Sequence, residues 1–371
     1  MSSGRGAVNA HRRSCARSLC TAHCSLPTAH FPRGMTLIEL LITMTIMAII
    51  SAAILGTASA AFENARRSRT QSLITKISGL VLERWDSYAN RRVEINPSIE
   101  MQIDTWANAA NLTPLERSQR SATRGQMMAD ARLLALRELM MMEMPDSWAD
   151  VNHTPLILAN VPALTQGYQR FYVNGHEDER EPAECLYMTV MYATGDGEAR
   201  TLFSSQDIGD TDGDGALEFI DGWGRAIGWC RWPAGVVSDL QPVGPDGRRV
   251  VDDHDPFDIF RRDAPDLPNN PPKPNPELYP IVLQEPIRIM RARNTSSLTA
   301  PAGPPYQNAF RMVPLIFSAG PDGGPGRRFF DIVSMPLDPY AVDGDGLQNG
   351  EIDPSSEFTS KDDITNHLIQ Y

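Results

Sequence analysis

From Met35 to Phe62 nearly every position is apolar or small, and Glu39 is the only charged side chain in the run. A run of that length crosses roughly 30 Å of hydrocarbon as a helix, so 35–62 is expected to span a membrane. Beyond Phe62 the pattern turns amphipathic. Leu73, Ile74, Ile77, Leu80, Val81, Trp85 and Tyr88 recur at steps of three and four, with Arg67, Lys76, Glu83 and Arg84 between them. One helix from about 35 to 92 follows, more than about 80 Å long at 1.5 Å per residue. Its second half, 63–96, must lie on something apolar, and Pro97 is expected to end it.

A second helix is signalled at Thr113-Pro114-Leu115-Glu116: an N-cap Thr, Pro at the first helical position and Glu three residues after the cap, which is a capping box. It runs toward Met144 and stops at Pro145. Leu133, Leu134, Leu136, Leu139, Met140, Met141 and Met142 thicken its end, and the methionines read as adaptable core. From about Glu184 the pattern suggests short strands at 185–192, ending at Gly195-Asp196-Gly197, and at 216–219, 227–232, 281–289 and 312–318. A Pro-rich loop at 264–280 reads as an extended surface excursion. The expected fold class is α+β. A long N-terminal helix packs on an antiparallel β-sheet, with a helical insertion at 97–182 and a β-rich region at 183–371.

Charge adds direction. Positions 1–34 carry Arg5, Arg12, Arg13, Arg17 and Arg33 and no acid; the whole chain is −12, so the part from Met35 onward is −17. A basic segment before the span and an acidic domain after it fit the positive-inside rule. The acidic domain repels nucleic acid and anionic lipid. Of five cysteines, Cys15, Cys20 and Cys24 precede the span, as do His11, His23 and His30, while Cys185 and Cys230 follow it. An oxidising compartment would allow Cys185 and Cys230 to form a disulfide.

Gly34-Met35-Thr36-Leu37-Ile38-Glu39-Leu40-Leu41 resembles the N-terminal signature of type IV pilins and type II secretion pseudopilins. In that family a leader ends in Gly, the next residue becomes the mature N-terminus, and a Glu stands fifth. The resemblance implies a leader at 1–34, cleavage after Gly34 by a prepilin peptidase, and methylation of the new amine on Met35. Met35 departs from the Phe most often found there. Glu39 would meet the terminal amine of a neighbouring subunit, so that two charges costly to bury singly neutralise each other and set the axial register. A competing reading is a signal peptide cut after Ala60, because Ala58-Ser59-Ala60 is an A-x-A site behind an apolar segment.

Asp210-Thr-Asp212-Gly-Asp214-Gly215-Ala216-Leu217-Glu218, closing on Asp221, places carboxylates at loop positions 1, 3 and 5, Gly at 6 and an acid at 12. That pattern is expected to bind Ca²⁺ as an EF-hand-like loop. A second, incomplete acidic turn is Asp343-Gly344-Asp345-Gly346, with Glu351 and Asp353 nearby. Three further segments look like those of major pseudopilins: Asp221-Gly222-Trp223-Gly224, Ser318-Ala319-Gly320-Pro321-Asp322-Gly323 and Asp362-Asp363-Ile364. By that resemblance Asp322, Asp362 and Asp363 are candidate ligands of a structural calcium ion.

Enzyme signatures such as G-x-S-x-G, a phosphate loop ending in Lys-Ser/Thr, or H-E-x-x-H do not occur in the sequence. His153, His176, His254 and His367 stand apart from one another, and Asp252-Asp253 reads as a solvated loop. The expectation is a non-enzymatic pseudopilin-like subunit of a type II secretion or type IV pilus-like system. It would be single-pass in the inner membrane with its globular domain in the periplasm. Its partners would be prepilin peptidase, other pseudopilin subunits and the inner-membrane assembly platform. The alternative is a secreted calcium-stabilised binding protein or enzyme released after Ala60.

Overall fold

The computed structural model describes residues 34–171, 180–193, 198–243, 254–264, 272–296, 309–329, 337–356 and 359–368. Residues 1–33 with their cysteines and histidines, Gly195-Asp196-Gly197, His176, Asp252-Asp253 and 265–271 of the Pro-rich loop lie outside these residues. The chain divides into two units, up to Ala58 and from Ser59 onward.

Helix α1 runs Leu37–Ser87 and is followed by a 3₁₀ turn, Tyr88–Asn90. The expected amphipathic stripe is the buried face: Leu73, Ile74, Ile77, Val81, Trp85 and Tyr88 all enter the main core. Pro97 does not close the helical region, as expected above, but opens α2 (Pro97–Ala107) at its first position, behind Asn96 as N-cap. A proline at that position lacks only an N–H that no helical carbonyl would have accepted.

Helix α3 (Pro114–Glu143) begins with the predicted capping box, Glu116 N donating to Thr113 Oγ1 and Thr113 N to Glu116 Oε2. Met140, Met141, Met142 and Met144 are all buried, as expected of core. Short helices α4 (Trp148–Val151) and α5 (Ala163–Tyr168) follow. Helices α2 and α3 share one core with α1, since Ile99, Ile103, Leu134 and Met140 pack in the same cluster as Ile74 and Ile77, whereas Trp148 and Val151 of α4 and Tyr168 of α5 form a second, smaller cluster.

Residues 185–192 are not a strand. They lie in α6 (Glu181–Ala193), which the short α7 (Glu198–Leu202) follows. Leu186 and Val190 point into the main core, whereas Cys185 and Met188 pack with Trp148, Val151 and Tyr168. A helix buried on two sides presents a continuous apolar run, which periodicity cannot tell from a strand.

The predicted strand at 216–219 is found as β2 (Glu218–Phe219), paired antiparallel with β1 (Ile208–Gly209). Strand β3 is Gly228–Cys230, within the predicted 227–232. The segment 281–289 is likewise helical, α8 (Ile281–Ser296), with Leu283, Ile287 and Met290 buried at helical spacing despite Pro286 inside it. Strand β4 (Leu315–Ser318) lies between β3 and β5 (Ile364–Thr365), both antiparallel to it, with Gly228 opposite Phe317 and Ser318 opposite Ile364. Trp229, Ile316 and Ile364 join Ile77 and Val81 in the core, and Asn366 Nδ2 donates to Ser78 Oγ at 3.3 Å. The β component is therefore small, and helices form about half of the described residues.

Buried charges bind distant segments onto α3. Glu143 accepts from Arg84 at 3.2 Å, Arg91 at 2.6 Å and Tyr88 Oη at 2.8 Å. Arg137 meets Asp263 at 2.6 Å and Asp255 at 3.6 Å. Arg231, next to β3, donates to Met144 O at 2.8 Å, in the turn after α3, and to Asp150 of α4 at 2.6 Å.

Candidate functional site

Gly34, Met35 and Thr36 precede α1, and all three are exposed. A Cβ added to Gly34 would meet nothing within 4 Å, so packing does not require glycine there. Thr36 is the helix cap. Glu39 N donates to Thr36 Oγ1 at 3.3 Å, while Glu39 Oε2 accepts from Thr36 N at 2.8 Å and from Thr36 Oγ1 at 3.1 Å. Glu39 thus completes a capping box on the first turn of its own helix. The Thr36-x-x-Glu39 spacing carries the same signal that marked Thr113 and Glu116, so this local role was readable from sequence. From Leu37 to Leu55 the apolar face of the helix is exposed throughout, with Leu37 85% and Leu55 72% accessible. This is the one helix among the described residues that is long and apolar enough to cross a membrane.

The turn joining β1 to β2 gathers the first acidic motif. Asp210 accepts from Gly213 N at 2.6 Å and Gly215 N at 3.1 Å, and Asp214 from Ala216 N at 2.8 Å. Gly213 and Gly215 take φ of 86° and 101°, the left-handed region that favours glycine. Asp210, Asp212 and Glu218 each place a carboxylate oxygen within 4.8 Å of the others, and so do Glu184 of α6, Asp212 and Asp214. Sequence reasoning missed Glu184, which is remote in the chain. Glu218 is fully buried, with Oε2 accepting from Thr211 N at 3.0 Å and Oε1 without a hydrogen-bond partner. Burial, reinforced by Asp212 and Asp210, pushes the Glu218 carboxyl up to about 7 against the Thr211 N–H and the Arg180 charge. Arg180 lies 3.3 Å from Asp212.

Asp221 does not join this group, contrary to its expected place at loop position 12. Its Oδ1 accepts from Trp223 N at 2.8 Å and Arg225 N at 2.9 Å, and its Oδ2 from Ser318 Oγ at 2.6 Å. The three pseudopilin-like segments meet here. Arg225 donates to Gly320 O at 2.5 Å, and a Cβ on Gly320 would stand 2.6 Å from Asp362 O. The turn also seats on α1: Gly222 N donates to Thr70 Oγ1 at 2.8 Å and Trp223 Nε1 to Glu63 at 3.1 Å. Asp221→Ala leaves three donors without their acceptor. It is expected to lower stability by about 2–4 kcal/mol, read as a shifted urea midpoint, with Asp221→Asn losing less because its amide oxygen can still serve both backbone N–H groups.

Asp363 is buried, and neither carboxylate oxygen has a hydrogen-bond partner; Arg327 Nε stands 3.6 Å away. Burial pushes its carboxyl up to about 7 against Arg327, with the charges of Asp362 and Asp322 adding to the rise. A buried, unsatisfied carboxylate beside two further acids suits the cation that the resemblance implies. Asp322 itself accepts from Gly324 N at 2.9 Å.

The second acidic turn is built around an internal cation. Arg328 lies 3.1 Å from Asp345, 3.6 Å from Asp353 and 3.8 Å from Asp343, while Asp343 Oδ1 accepts from Asp345 N and Leu347 N at 2.9 Å. Glu351 turns to Gln348 N at 2.9 Å. Arg328 thus places one positive charge among the acids of this turn.

Cys185 and Cys230 are free thiols, not a disulfide. Each is buried in a different apolar cluster, Cys230 with Val236 and Leu315, and burial pushes both thiols well up. His153 meets Glu138 at 3.0 Å and His367 lies between Ser238 Oγ and Val313 O, so both are satisfied within the fold.

Residues 32–55 match the family described as the prokaryotic N-terminal methylation motif, the signature of type IV pilins and pseudopilins. No curated protein and no solved structure matches the chain.

Proposed function

We propose that this chain is a pseudopilin-like structural subunit of a type II secretion or type IV pilus-like machine. In this reading it is cut after Gly34 by prepilin peptidase and methylated on Met35. The segment 35–62 holds it in the inner membrane, with the remainder in the periplasm, and it assembles with other pilin-like subunits on an inner-membrane platform. The observation that carries the reading is the methylation motif heading an exposed apolar helix. Glycine at 34, where the fold itself makes no demand for it, supports recognition by a processing enzyme. Ala58-Ser59-Ala60, the competing cleavage site, lies inside the continuous helix α1.

Glu39 then has two successive partners, its own Thr36 in the single subunit and a neighbour's terminal amine in the filament. By the same resemblance, Asp322, Asp362 and Asp363 would hold a structural calcium ion, which neutralises the buried Asp363 and orders the C-terminal segment.

Mass spectrometry of the N-terminal peptide from native membranes tests the function. An N-methylated Met35 start is expected, with Gly34→Ala leaving the precursor uncut. A mature start at Ala61, or normal processing of Gly34→Ala, overturns the reading.

A further inference from the structure

We propose that the β1–β2 turn is a calcium site formed by Asp210, Asp212, Asp214 and Glu218, with Arg180 holding Asp212 until the ion replaces it. The site is separate from the C-terminal acids and does not rest on the proposed function. Exposed aspartates in a turn are commonly solvated. Glu218 is what distinguishes this one. It is fully buried, its Oε1 has no hydrogen-bond partner, and it shares ligand spacing with Asp210 and Asp212. A buried carboxylate oxygen without a donor carries the full desolvation penalty of a charged acceptor, and a cation between it and the two aspartates removes that penalty.

The geometry points to the ion. Carboxylate oxygens of three residues within 4.8 Å of one another can converge on one cation, and an irregular set of turn acids suits the tolerant coordination of calcium better than the near-ideal octahedron that magnesium demands. All donors are hard carboxylates, which do not favour zinc or copper. Asp212 belongs to both groups of three, the second including Glu184 of α6, so an ion here also faces that helix and would clip the hairpin to it. Arg180 already places one positive charge on Asp212, at 3.3 Å, and is the natural competitor of the ion.

Isothermal titration of calcium chloride into the detergent-solubilised full chain tests this. Wild type is expected to bind one more ion than Glu218→Gln, or to bind that ion at least tenfold more tightly. Asp212→Asn, at an exposed position, should show the same loss, while Asp363→Asn retains the site. Arg180→Gln is expected to tighten binding, and magnesium chloride to bind at least tenfold more weakly. Equal stoichiometry and affinity in wild type, Glu218→Gln and Asp212→Asn overturn the site. Equal affinity for magnesium overturns the choice of ion, and weaker binding by Arg180→Gln overturns the role of Arg180.

Discussion

Asp130→Ala is expected to destabilise the protein by about 3–5 kcal/mol, the usual cost of stripping one partner from a buried ion pair. Asp130 lies on α3 and is fully buried. Arg262 grips it with two hydrogen bonds, at 2.6 and 2.9 Å, and the Tyr279 hydroxyl donates to it as well. Arg291 of α8 stands 3.7 Å away and donates to Tyr279 Oη at 2.9 Å. Arg262 and Tyr279 flank the Pro-rich stretch, so one carboxylate pins both of its ends to the core. Removing it leaves the Arg262 charge without its bidentate acceptor. Replacing both charges, as in Asp130→Leu with Arg262→Met, is expected to cost less than Asp130→Ala alone, because the Arg262 charge is then not left behind without its bidentate acceptor. Thermal and urea unfolding in detergent measure both. A double variant no better than the single one would show that the residues act independently.

Glu138→Ala is expected to cost a similar amount, about 3–5 kcal/mol. The Glu138 side chain is buried on α3 and accepts from Leu156 N at 2.7 Å, Ile157 N at 2.9 Å, Leu158 N at 2.7 Å and His153 Nε2 at 3.0 Å. Three consecutive backbone donors have this one acceptor, and alanine offers them nothing. The pH dependence has a definite sign. Burial raises the Glu138 carboxyl, but His153 and the three backbone N–H groups outweigh it and hold the group below its ordinary 4.5. A depressed carboxyl stabilises the fold at pH values above its unfolded value, and that contribution is lost as pH falls through the folded one. Unfolding free energy is therefore expected to decline on acidification below about 4.5, and Glu138→Gln to flatten that part of the profile. An unchanged acid limb in Glu138→Gln would assign acid sensitivity to other carboxylates.

These residues show where sequence reading stops. Asp130, Arg137, Glu138 and Glu143 look like the polar face of an amphipathic helix, yet all four are buried. Their partners are Arg262, Asp263, the 156–158 backbone and Arg84, separated from them by as few as 18 and as many as 132 positions. Periodicity records only that a position is polar, not that a distant charge will cover it. The same limit explains α6, a short apolar run whose helical state is decided by neighbours on two sides. In α8 the signal was present, since Leu283, Ile287 and Met290 recur at helical spacing, but Pro286 and the β-branched residues obscured it. Asp221 was placed by loop counting in the calcium turn, whereas Ser318, 97 positions away, claims one of its oxygens.

What the sequence by itself determined is what local spacing carries. That comprises the apolar span and its methylation motif, the stripe on α1, the capping box at Thr113, and the glycine-punctuated acidic turn at 210–218. Each depends on residues within a few turns of one another, so the chain's own geometry suffices. Tertiary structure alone decided which acids are buried and which cation each one faces. It gave Arg328 to the second acidic turn, Arg262 to Asp130, and left Glu218 and Asp363 with carboxylate oxygens unpaired. The physical reason is that desolvation and charge pairing depend on what packs around a group in space, and those neighbours come from segments far apart in the chain.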